Sequence, residues 1–175
     1  MRRARPRRAL LNPPSEKVDR PARTSSVRQD GTTFSPVHLL ERILMYGQHI
    51  SVSGPFAFAI EKVTAALKNE GFGVLSDIDI QKAMKEKLGV EMSAYRILGA
   101  CNPPLAHSAL LTEPEIGLLL PCNVTVREGD DGKVSVGFLD PQMMVQMTGN
   151  PALANVADEA GERLRRVQSA LAGAG

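Results

Sequence analysis

Two cysteines, each followed directly by an asparagine, give this chain its candidate chemistry: Cys101-Asn102 and Cys122-Asn123, with His107 between them. All lie in Tyr95–Val126, where one apolar run ends in Gly99-Ala100-Cys101-Asn102-Pro103-Pro104, a short helical pattern follows, and a second apolar run is interrupted by Pro121. Cys101 closes a strand pattern just before a helix start, where the positive end of the helix dipole draws a thiol below its usual pKa. On that reading Cys101 is a catalytic nucleophile, His107 a base and Cys122 a resolving thiol. The same three residues, Cys101, His107 and Cys122, are the candidate ligands of a metal. Their spacing matches no standard zinc pattern, and two thiolates with one imidazole leave a tetrahedral ion one ligand short unless water, substrate or a second subunit completes it. Cys101, Asn102, Cys122 and Asn123 are the candidates for lining a small ligand pocket. No particular cofactor is implied.

Each residue also has a plainer reading. Cys122 is in register with Leu118, Leu120 and Val124, as a small packed thiol would be, and Cys101 shares the parity of Tyr95 and Ile97, which reads as inward. His107 falls on the flank of its helix beside Leu111. Asn102 is well placed as an N-cap with Pro103 at the first helical position, and Asn123 can satisfy a backbone group where Pro121 removes a ladder donor. That helix end makes a poor anion cradle, because Pro103 and Pro104 lack the N–H groups a phosphate would need.

The elements that must position these residues follow from periodicity. His49–Val52 reads as a first strand, and Ser53-Gly54-Pro55 as a helix start with Ser53 as N-cap. Phe56, Ile60, Val63 and Leu67 then mark one buried helical face that ends at Gly71. Phe72, Val74, Ser76 and Ile78 alternate as a second strand. Asp79 caps a second helix that aligns Ile80, Met84 and Leu88 before Gly89 stops it. A third strand runs from about Ala94 to Cys101, a short helix reaches Leu111, and Ile116–Arg127 reads as a long fourth strand. Gly129-Asp130-Asp131-Gly132 turns the chain into its partner, Val134 to Phe138. Asp140-Pro141 opens a short helix, and Pro151–Leu171 closes the chain with Leu153, Val156, Ala160, Leu164, Val167 and Leu171 on one stripe. Arg163, Arg165 and Arg166 suit the negative pole of that helix. Short crossovers with a terminal hairpin predict α+β: a mostly antiparallel sheet with helices on one face.

Composition bounds the function. With 175 residues, 43% hydrophobic and 23% charged, the chain has the balance of one globular domain that needs no disulfide or structural metal. No run of about 18 apolar residues exists, so no membrane partner is expected, and a reducing cytoplasm is the simplest setting. The net charge of +2 conceals a basic head: residues 1–30 carry nine Lys or Arg against three acidic residues, which leaves −4 for the rest. Nucleic-acid binding is expected only through that head, and no aromatic residue interleaves its arginines. Residues 1–44 are expected to be a disordered tail and 45–175 a single domain. The strand pattern that starts just after Met45 suggests Met45 as the natural first residue.

Glu70-Gly71-Phe72-Gly73-Val74-Leu75, Lys85-Glu86-Lys87-Leu88-Gly89, Ile97-Leu98-Gly99-Ala100-Cys101-Asn102-Pro103-Pro104-Leu105-Ala106-His107 and Gly117-Leu118-Leu119-Leu120-Pro121-Cys122-Asn123-Val124 together resemble the bacterial and archaeal family of unknown function numbered 302. The resemblance covers about Gln48 to Leu171. It implies an α+β fold like a single TATA-binding-protein half and a homodimer, and it carries no reaction. Two function classes stand: a homodimeric module that binds a small ligand or metal at the two Cys-Asn turns, or a thiol-dependent redox or transfer enzyme that uses Cys101.

Overall fold

The computed structural model describes residues 46–173. The expected tail at 1–44 and the proposed start at Met45 lie outside those residues. Five strands, β1 (Gly47–Val52), β2 (Gly73–Asp79), β3 (Tyr95–Cys101), β4 (Cys122–Glu128) and β5 (Val134–Leu139), form one sheet in the order β1-β5-β4-β3-β2. Every neighbouring pair is antiparallel. The helices are α1 (Phe56–Asn69), α2 (Ile80–Leu88), α3 (Pro103–Thr112), α4 (Gln142–Thr148) and α5 (Ala154–Ala172). This is the α+β architecture that the element order predicts.

Side-chain alternation gives the sheet two unlike faces. Val124 and Val126 of β4, Val134, Val136 and Phe138 of β5, and Leu98 and Ala100 of β3 are buried against Ala59, Val63 and Leu67 of α1 and Leu164, Val167 and Leu171 of α5. A second cluster, Ala109, Ile116, Met144, Leu153 and Ala157, joins α3 and α4 to the start of α5. Arg163 donates to the Glu70 carbonyl at 3.1 Å and Arg166 to the Glu70 carboxylate at 2.9 Å, so two of the three α5 arginines clamp the C-terminal end of α1. The opposite face is open to solvent at His49, Asn123 and Arg127.

Helix boundaries follow their caps closely. The Asp79 side chain accepts from the Lys82 N–H at 2.8 Å, and Gly89 ends α2 in the left-handed region at φ 66°. Four expectations are corrected. Ser53 is not a cap: α1 starts after Pro55, with no side-chain cap. The long fourth strand is absent, because Pro114–Leu119 winds into a 3-10 helix and the ladder begins only at Cys122, after the cis Leu120–Pro121 bond. Pro121 has no N–H to donate to β3, so pairing starts at the next residue. Leu118, grouped with Cys122 by strand parity, is therefore 84% exposed. On β3 the inward set is Leu98 and Ala100 rather than Tyr95, Ile97 and Cys101, and Cys101 is only half-buried at the strand end. On β2 a bulge between Val74 and Ser76 breaks the alternation, so Val74 packs on the core while Ser76 lies over Gly99, where a β-carbon would collide with its hydroxyl.

Candidate functional site

The end of β3, the first turn of α3 and the start of β4 meet at one small pocket, closed from the other side by α4 and α5. Its walls include Cys101, Asn102, Leu105 and Ala109, with Cys122 and Met144 opposite, and its free space is about 20 Å³. That is close to the roughly 10–15 Å³ a single water needs, so the pocket suits one atom-sized occupant rather than an organic molecule.

Register and capping set the positions. Ala100 pairs with Cys122 across β3 and β4, and Gly73 pairs with Cys101 across β2 and β3. Asn102, only 7% exposed, caps α3 by accepting from the Leu105 N–H at 3.3 Å. Its amide nitrogen lies 3.0 Å from where a Gly71 β-carbon would stand, and Gly71 holds φ +81°, a conformation that glycine adopts without strain. The tight turn after α1 and the buried cap of α3 are therefore fitted to each other.

Both thiols are held in the neutral form. Burial pushes the Cys122 thiol up to about 11, and a charge on Cys101 would push it further, so the two sulfurs sense each other. Burial raises Cys101 as well. This reverses the expected lowering of Cys101 by the helix dipole. Pro103 and Pro104 bring no N–H to the first two positions of α3, and the Asn102 side chain takes the third donor, Leu105 N–H. Little of the helix terminus is left to stabilise a thiolate.

The other sequence candidates lie elsewhere. His107 is exposed on the outer side of α3 and does not line the pocket, and Asn123 lies on the open face of the sheet beside His49 and Thr125. Among the described residues no three His, Cys, Asp or Glu gather where they could hold a metal ion, so Cys101, His107 and Cys122 do not assemble as a set. The sequence reading missed Met144, a buried thioether in the same pocket wall. The available signal was the crowding of Met143, Met144 and Met147 into seven residues, three of the seven methionines in the chain. The pocket is thus lined by two cysteines and one methionine in a wall that is otherwise apolar except for Asn102.

Fold and site together define a small α+β domain with a sulfur-lined pocket at a sheet corner. The family model for the domain of unknown function DUF302 matches residues 48–171, and the chain belongs to that family. It is similar to the crystal structure of an uncharacterised conserved DUF302 protein from Bacillus stearothermophilus, with 31% identity and a TM-score of 0.67 over 73% of this chain and 98% of that one. None of the curated proteins matches this chain. Among the described residues no helix is long and apolar enough to cross a membrane.

Proposed function

We propose that this domain binds a soft, monovalent metal ion, copper(I) in the first instance, through Cys101, Cys122 and Met144. What supports this reading is that Cys101, Cys122 and Met144 all line one atom-sized, largely apolar pocket. Thiolate and thioether donors select copper(I) over harder ions, and a low coordination number removes the need for the fourth ligand that zinc would demand. Binding displaces the two thiol protons to solvent, forms two copper–sulfur bonds and leaves the oxidation state unchanged, with the thioether as a neutral third donor. The raised thiol pKa values work against the alternative, a transfer or redox enzyme that uses Cys101, because the thiolate is the nucleophile and little of it forms near neutrality. A second copy is the partner we propose: β2 is an edge strand, and Leu75 and Ile78 on it, with Leu88 and Val90 at the end of α2, are large apolar side chains left exposed.

The test is competition for copper(I) between the full chain and a coloured copper(I) chelator under anaerobic conditions. One ion per chain is expected. Cys101→Ser and Cys122→Ser should each abolish it, while Met144→Leu, a volume-conserving change, should weaken binding and leave the fold intact. Stoichiometric binding that survives both serine substitutions would place the metal elsewhere and end this reading.

A further inference from the structure

We infer that the open face of the sheet carries a second site, independent of the sulfur pocket, that takes a small organic carboxylate. A cavity of about 120 Å³ lies there, lined by Tyr46, His49, Asn123, Thr125 and Leu139 over Gly137. It is several times larger than a single water needs. The register puts its polar groups in neighbouring rows, since His49 pairs with Gly137 and Gly137 with Thr125.

Gly137 is what makes room. A β-carbon there would stand 2.6 Å from His49 Cε1, 2.7 Å from His49 Nδ1 and 2.7 Å from Thr125 Oγ1, so the imidazole lies directly over the strand backbone and crowds the same spot as the hydroxyl. The side chains of His49, Asn123, Thr125 and Tyr46 have no hydrogen-bond partner among the described residues. All four can donate, through imidazole N–H, amide NH₂ or hydroxyl, and none is a carboxylate. Alternation puts Arg127 on the same face, two residues beyond Thr125, with no ion-pair partner among the described residues. No Asp or Glu points to this face from the described strands.

Four groups able to donate, with no carboxylate among them and the Arg127 charge on the same face, suit an acceptor-rich, negatively charged group. The Tyr46 ring and Leu139 supply an apolar wall beside the donors, so the ligand needs an apolar body as well as an oxyanion. A small carboxylic acid has both parts.

Benzoate is the probe, with benzyl alcohol as the uncharged analogue of the same shape, titrated into the full chain while the histidine ring signals are followed by NMR. The expected result is a saturable shift of the His49 ring with benzoate, little shift of the exposed His107 ring, and no saturable response to benzyl alcohol. His49→Gln and Thr125→Val, followed through the Tyr46 ring and the Asn123 side-chain amide, should each weaken benzoate about tenfold or more. Copper(I) binding at the sulfur pocket should be unchanged by either. Absence of a saturable benzoate shift, an equal response to benzyl alcohol, or unchanged affinity in both variants would overturn the assignment.

Discussion

The Cys122 thiol should make this domain lose stability in a defined alkaline window. Its ordinary value is 9.0, and burial at the start of β4 pushes it up to about 11 in the fold. Below pH 9 both folded and unfolded chains keep the proton, so the contribution is complete and flat. Between about pH 9 and 11 the unfolded chain releases its proton while the folded one holds it, and stability falls by roughly 1.4 kcal/mol per pH unit. The loss over the window is therefore about 2–3 kcal/mol, a substantial share of the roughly 5–15 kcal/mol typical of a domain. Urea unfolding of the full chain at several pH values, beside Cys122→Ser, isolates this thiol from other groups that titrate in the same range. The serine variant carries its own constant offset but should lack this part of the slope. Parallel pH profiles for the two proteins would refute the claim that Cys122 is buried as a neutral thiol.

Three further outcomes follow from the same geometry. Asn102→Ala should cost about 1–2 kcal/mol in urea unfolding by removing the cap on the Leu105 N–H, and Asn102→Asp, which keeps the acceptor, should lose less. Leu98→Ala, at a position 1% exposed on β3, should cost about 2–5 kcal/mol, whereas Leu118→Ala should stay within about 0.5 kcal/mol, as measured by the same unfolding experiment. Copper(I) affinity, measured by chelator competition, should rise steeply with pH while both thiols are protonated, approaching about 100-fold per unit if two protons leave on binding. A flat profile would mean that no thiol is deprotonated.

Elements with strong local signals were legible from the residues. Asp79, Gly89 and Asn102 cap their helices as their types suggest, and Gly129–Gly132 turns the β4–β5 hairpin, because each of these signals acts within a few residues. The fourth strand misled because Ile116-Gly117-Leu118-Leu119-Leu120 is an apolar run that alternation cannot separate from a helical turn, and Pro114 and Pro121 decided between them. The β2 bulge was hidden because it is a feature of the pairing with β3, where Ser76 lies over Gly99, and no local pattern records it. Of the candidate residues, Cys101, Asn102 and Cys122 line one pocket, since strand pairing joins segments that lie close in the sequence. Met144 was not visible, because α4 reaches the pocket through tertiary packing that no local spacing records. His49 was overlooked for a similar reason, since it meets Thr125 only across the intervening strand β5.

The most direct measurement is X-ray absorption at the copper edge of the full chain loaded with one equivalent of copper(I). The account predicts a nearest-neighbour shell of three sulfurs, falling to two in Met144→Leu. A shell containing imidazole nitrogen, or a chain that fails to retain the ion, would contradict it.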